Sequence, residues 1–280
     1  MENDKPVLDF NTPEEEITTS RTIERLQEDE EYVSVIVKRN DEAVRHPDDI
    51  LEKAIEEGVE QHSRSRPSLF LSALAAGLIL GFAGMCVALV NGIVPAQSSL
   101  ALNRVATALV YPLGFIICIM SGTQLFTEQT ATAVYPVLDK RSPLKGLISL
   151  WVVVLAGNLV GTFISSLLIY MSENVILANG GFIAVYEHLL EYSSLEVFMS
   201  AILAGWLMAQ GGWLVMATPP ASSQIICIYI VTFVIGLGGL HHSIAGSAEI
   251  FSGLLHSKDP NYIASIEFLL SAILGNLIGG

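Results

Sequence analysis

From Pro67 to Gly280 the chain carries only nine acids and five bases in 214 positions. A water-soluble domain of that length exposes far more charge, so this stretch cannot face water on all sides and is expected to lie in a bilayer. The first 66 residues hold the rest, 19 of the 28 acids and 9 of the 14 bases. The chain therefore reads as an acidic, water-facing N-terminal region followed by an all-α polytopic membrane domain. With an overall charge of −14 there is no basic surface to hold nucleic acid.

The opening MENDKPVLDFNTPEEE lacks the basic start and apolar stretch of a secretory signal, so the N-terminus is expected to stay on the side of synthesis. Residues 1–47 carry the acidic block Glu28–Glu31 and, apart from Tyr32–Val37, few large apolar residues. This composition predicts a largely disordered cytoplasmic tail. Over residues 48–66, Ile50, Leu51, Ala54, Ile55 and Val59 recur at helical spacing behind Asp48 and Asp49. That pattern predicts an amphipathic helix at the membrane interface and a linker, with a partner-binding helix as the alternative.

The membrane domain, residues 67–280, supports six spans of about 20 residues or more. They fall near 68–93, 103–138, 144–171, 195–217, 223–255 and 262–280. The second and fifth are too long for one helix, and each holds a polar insert: Ser121–Thr130 (SGTQLFTEQT) and Gly236–Ser243 (GLGGLHHS). Non-helical backbone at membrane depth is tolerated only where it lines a cavity or is buried in protein, so both spans are predicted to be broken helices.

An internal repeat supports this layout. Leu155–Gly161 (LAGNLVG) in the third span recurs as Ile273–Gly279 (ILGNLIG) in the sixth, and Ala76-Gly77 in the first is echoed by Ala204-Gly205 in the fourth. The two repeats, about 68–171 and 195–280, hold three spans each. An odd number of crossings turns the second repeat over, which gives the inverted 3+3 topology common among transporters. Arg64, Arg66, Lys140, Arg141 and Lys145 mark the cytoplasmic loops, whereas the opposite side holds Arg104 and Lys258. The segment from Ser172 to Glu196 has no Lys or Arg and reads as a long external connection. Gly279-Gly280 closes the sixth span without a basic or aromatic anchor, as expected of a chain cut within its last helix. Cys86, Cys118 and Cys227 all fall in apolar runs, where packing is the expected role.

Four motifs in order carry a resemblance to a known family: Leu125–Thr127 (LFT), Gly239–Gly246 (GLHHSIAG), and the two GN-containing repeats. The chain from about 68 to 280 resembles the formate/nitrite transporter family, and the FTEQTATAVYPVL and HSIAGSAEIFSGLL versions are most similar to its YfdC-like branch. The resemblance implies an aquaporin-like bundle in the inner membrane, assembled as a homopentamer with one pore per subunit. It also implies passage of a small monovalent anion such as formate, nitrite or acetate. Carried over by motif, Leu125, Phe126, Tyr111, Phe115 and Ile235 supply two apolar constrictions, with Thr127 in the first break and His242 as the central pore histidine. Gln124, His241 and Gly246 depart from the family pattern, which more often has an acid, Glu and Asn at these places.

The residues alone point the same way. A carboxylate crosses a low-dielectric constriction at high cost, whereas its neutral acid crosses cheaply, so a proton or hydrogen-bond donor belongs beside the constriction. Histidine suits that role near neutral pH, and the positive ends of half-helices attract the incoming anion. His241 is expected to point to another side, in a structural or interfacial role. Glu128 and Glu249 are membrane acids and so candidate pore groups, with hydrogen bonding at a helix break as the alternative for Glu249. Asn158 and Asn276 are expected to brace the breaks while the adjacent glycines allow close helix approach. No enzymatic centre, cofactor or metal is implied; the expected partners are a small anion, a proton and lipid. A neutral-solute pore of aquaporin or ammonia type, and a non-conducting sensor with a docking tail, are the other classes.

Overall fold

The computed structural model describes residues 45–94 and 99–280, and the expected disordered tail lies almost wholly outside the described residues. The described chain is helical with no strand. In order, the elements are α1 (Pro47–Ser63), α2 (Arg66–Ile93), α3 (Leu100–Val110), α4 (Pro112–Met120), α5 (Phe126–Thr132), α6 (Tyr135–Leu138) and α7 (Leu144–Met171). They continue as α8 (Glu173–Ile176), α9 (Asn179–Leu190), α10 (Ser194–Ala217), α11 (Ala221–Gly238), α12 (Ser243–His256) and α13 (Tyr262–Gly279).

Six of these stretches are long and apolar enough to cross a membrane: α2, α3 with α4, α7, α10, α11 and α13. Their outward faces carry Leu71, Phe82, Val152, Trp206, Ile226 and Leu270, all exposed, as a lipid-facing surface requires. The chain is a multi-pass membrane protein. Within each half, the first and third spans form the tightest pair, α2 along α7 and α10 along α13. Glycines make the approach possible. Gly77 of α2 meets Gly161 and Thr162 of α7, and Gly205 of α10 meets the backbone of Asn276 on α13.

Spans two and five are broken as the polar inserts predict. Each first half-helix runs out at a glycine with left-handed backbone, Gly122 (φ 65°) after α4 and Gly239 (φ 60°) after α11, a conformation that costs glycine little. The chain then restarts as a half-helix, α5 or α12.

Two regions show packing that the sequence reading did not specify. In α1, Ile50 and Ala54 are buried against Met216 and Ala217 at the end of α10, with Trp213 and Tyr135 beside them. His62 Nε2 lies 2.9 Å from the Ala133 carbonyl, and Arg45 bonds the carbonyl of Met216, so α1 is tied to the helical domain at both ends. The segment after Ser172 has helical structure of its own. It folds into α8 and α9, and α9 packs on α2 and α12 because Gly181 lets its backbone meet Ala88, while Phe182 is buried.

Candidate pore site

Two asparagines hold the broken spans in place by the same three bonds. Asn158 on α7 accepts from the Phe126 N–H at 2.8 Å and donates to the carbonyls of Ala73 at 2.7 Å and Gln124 at 2.8 Å. Asn276 on α13 accepts from the Ser243 N–H at 2.7 Å and donates to the carbonyls of Ala201 at 2.8 Å and His241 at 3.1 Å. Both are fully buried. In each half, a side-chain amide satisfies the backbone where a helix starts inside the bundle, groups that neither a helix ladder nor water can reach.

These brackets bring Thr127 and His242 together across the two breaks. The Thr127 hydroxyl oxygen and His242 Nε2 are 2.8 Å apart, and both residues are buried. His242 is also the N-cap of α12: its Nδ1 accepts from the N–H groups of Ile244 and Ala245, each at 3.2 Å. Two backbone donors at Nδ1 place the ring proton of the neutral imidazole on Nε2, where it is donated to the Thr127 oxygen. The threonine hydrogen is then free to point to a third group. A second proton on the ring has to displace both capping bonds.

Apolar and aromatic groups surround the pair. Phe115 meets the His242 ring edge-on at 4.9 Å, and Tyr111 lies 5.1 Å from Phe115. Phe115, Leu125, Phe126 and Ile235 are all buried in the same core cluster. A cavity of about 350 Å³ reaches His242 from the side of Arg104 and α9, and its walls include Tyr111, Ile235, His241 and Glu249. Thr127, Leu125, Phe126 and Phe115 do not line it, so the cavity ends at the His242 ring with the apolar residues of the first break beyond.

His241 is 5 % exposed, hydrogen-bonded through Nδ1 to the Ser200 hydroxyl, and contacts the rings of Tyr192 and Phe268 edge-on at 5.1 and 5.4 Å. Glu128 is half-buried on α5 and does not line the cavity. Among the cavity residues the sequence reading did not place there are three titratable ones, Arg104, read as a loop cation, and His188 and Tyr192. A signal existed for Arg104, a cation inside the otherwise apolar helix LALNRVATALV. His188 and Tyr192, joined at 3.3 Å, belong to the segment read as a connection. Among the described residues no group of three or more His, Cys, Asp or Glu side chains converges to hold a metal.

A sequence profile of the family described as Formate/nitrite transporter matches residues 48–280. The chain is 35 % identical over 233 residues to "Inner membrane protein YfdC" of Escherichia coli (strain K12), covering 80 % of this chain and 72 % of that protein. Its fold matches a solved "FNT family ion channel" with a TM-score of 0.74 at 16 % identity, over 82 % of this chain and 94 % of the other. It also matches a "Pentameric formate channel with formate bound" with a TM-score of 0.67 at 20 % identity, over 76 % and 92 %.

Proposed function

The chain belongs to the formate/nitrite transporter family, and from that membership and the geometry of its two broken spans we propose that it forms a transmembrane pore for small monovalent weak-acid anions. Formate, nitrite and acetate are the substrates of choice. The observation that carries this reading is the 2.8 Å contact between Thr127 and His242 where the cavity meets the apolar residues of the first break. An anion arriving through the cavity meets the imidazole ring, with the Thr127 hydroxyl and its free hydrogen on the far side of the bond. It is held by hydrogen bonding there, or takes a proton from the imidazolium formed once Nδ1 leaves its two capping bonds and is protonated from water, and crosses the apolar stretch with its charge screened or removed. Leu125 and Phe126 form the constriction on the cytoplasmic side, and Tyr111, Phe115 and Ile235 the outer one. Asn158 and Asn276 hold the half-helices so that their N-terminal ends face the path.

In this reading the second half is inverted relative to the first, the N-terminus is cytoplasmic, and the protein lies in the inner membrane as its E. coli relative does by name. The subunits associate as homopentamers, as the formate-bound channel of similar fold does. Native mass spectrometry should give a five-subunit mass. The function is tested by flux of labelled formate, nitrite and acetate into proteoliposomes, set against water, glycerol and ammonia. Weak-acid uptake well above protein-free liposomes is expected. Passage of the neutral solutes alone would replace this reading with a neutral-solute pore.

A further inference from the structure

Glu249 lies seven residues along α12 from His242, two helical turns or about 10 Å toward the outer end. It is 9 % exposed, and His242, Gly246 and Glu249 line the cavity from one face of the helix. Tyr111, at the junction of α3 and α4, is buried, packs on Phe115 and lines the same cavity. It stands near enough to Glu249 for a charge on the acid to act on it. Among the described residues no hydrogen bond or ion pair reaches the Glu249 carboxyl group or the Tyr111 hydroxyl. Neither group is sealed in protein, so both open on the cavity. Buried polar groups in a structural role are ordinarily satisfied by the protein around them, and these two are not. The remaining titratable groups on the cavity walls are Arg104, His188, Tyr192, His241 and His242. His188 and Tyr192 bond each other, and His241 is bonded to Ser200.

The surroundings decide which form of the acid stands there. A carboxylate would have neither a cation nor a donor against it, a state that a buried acid avoids by keeping its proton. Glu249 then presents an O–H to the cavity, as Tyr111 does, and both are donors without an acceptor. A small anion with two acceptor oxygens supplies what they lack. An O–H···O⁻ bond is among the stronger hydrogen bonds, and uncharged donors make it without the repulsion that a carboxylate would bring. We propose that Glu249 and Tyr111 form a binding subsite for a small oxyanion such as formate, acetate or nitrite, outward of His242, where the anion is held before it reaches the Thr127–His242 pair. Arg104, exposed on α3 and part of the same cavity, draws the anion toward it. The proposal rests on the weak-acid pore reading and adds a second place where its substrate is held.

The test uses the full chain as wild type, Glu249→Gln, Glu249→Met and Tyr111→Phe. The formate concentration that half-saturates uptake into proteoliposomes is measured at pH 7, together with the thermal midpoint of the solubilised protein in sodium formate and in sodium chloride at equal concentration. Glutamine keeps a donor at nearly the same size, so Glu249→Gln should saturate close to wild type. Glu249→Met and Tyr111→Phe should each raise the half-saturating concentration about tenfold, the weight of one hydrogen bond to a charged group. The wild-type midpoint should be higher in formate than in chloride, and this gain should shrink in the same two variants. An unchanged or lowered half-saturating concentration in Glu249→Met overturns the proposal, a lowered one because it marks a carboxylate that repels the anion. Wild-type protein with no gain in midpoint from formate over chloride also overturns it, whether or not the variants fold. Formate that stabilises wild type more than Glu249→Met, without any uptake, supports the subsite and overturns the pore reading.

Discussion

Thr127 and His242 come from different halves of the chain, 115 positions apart, and are joined by a 2.8 Å hydrogen bond at the point where both broken spans turn inward. The bond closes a chain of donors: backbone N–H groups of α12 to Nδ1, then Nε2–H to the threonine oxygen. Replacing Thr127 with Val keeps the shape but leaves the buried Nε2–H without an acceptor. An unsatisfied buried donor costs about 1–3 kcal/mol. Thr127→Val should therefore lower the thermal midpoint in detergent and reduce formate flux, whereas Thr127→Ser should stay near wild type in both.

The two asparagine brackets should be equivalent in weight. Each of Asn158→Leu and Asn276→Leu strands one backbone N–H and one carbonyl at the break, that of Gln124 or His241, and removes a second bond from the helical carbonyl of Ala73 or Ala201. A loss of several kcal/mol is expected for either, by the unsatisfied-group cost of about 1–3 kcal/mol each. Thermal unfolding of the purified variants checks this. Marked instability from one substitution and none from the other would mean that the halves are not built alike.

The glycine contacts make a steric prediction. A Cβ on Gly77 falls 2.8 Å from the Thr162 nitrogen and 2.9 Å from the Gly161 Cα, and one on Gly205 falls 2.5 Å from the Asn276 carbonyl oxygen. Backbone cannot swing aside as a side-chain tip can. Gly77→Ala and Gly205→Ala should each destabilise by about 1–3 kcal/mol, the usual range for overpacking. A thermal midpoint equal to wild type would show that the helices separate at little cost.

Much of the fold could be read from the sequence because it follows from a few strong signals. Low charge and long apolar runs gave the six spans, and the polar inserts gave the two breaks. Helix boundaries at the breaks depended on Gly122 and Gly239, and the brackets on Asn158 and Asn276, all visible as small or polar residues in apolar surroundings. What was not legible depended on tertiary contact. The apolar stripe of α1 is the same whether it meets lipid or the end of α10, and α9 carries no signal of whether it lies free or against α2. That His242 caps α12 through Nδ1 also needed coordinates, since histidine is not a usual N-cap residue.

The docking of α1 separates two parts of the N-terminal region. Truncation before Arg45 keeps the Arg45 and His62 bonds and the buried stripe, so insertion, thermal midpoint and flux should stay close to wild type. Ile55→Glu places an unpaired charge in the buried face of α1 and should free the helix. Limited proteolysis at the α1–α2 junction reports the difference. Equal protection of Ile55→Glu and wild type would show that the packing of α1 is not what holds it.

The most direct measurement is formate flux through His242→Asn beside wild type, at a series of external pH values. Asparagine is a good N-cap, so it replaces the Nδ1 bonds that start α12 but cannot reach Thr127 as Nε2 does. Insertion should hold and the thermal midpoint fall no further than for Thr127→Val, by the loss of the same buried bond, while flux should fall more. A hydrogen bond to a charged group is worth about 1.5–3 kcal/mol, which is roughly a tenfold to hundredfold loss. In wild type, flux should rise as pH falls, because above the substrate's own pKa each unit down gives about ten times more neutral acid. Wild-type flux in a correctly folded His242→Asn protein, with no dependence on pH, would contradict the account.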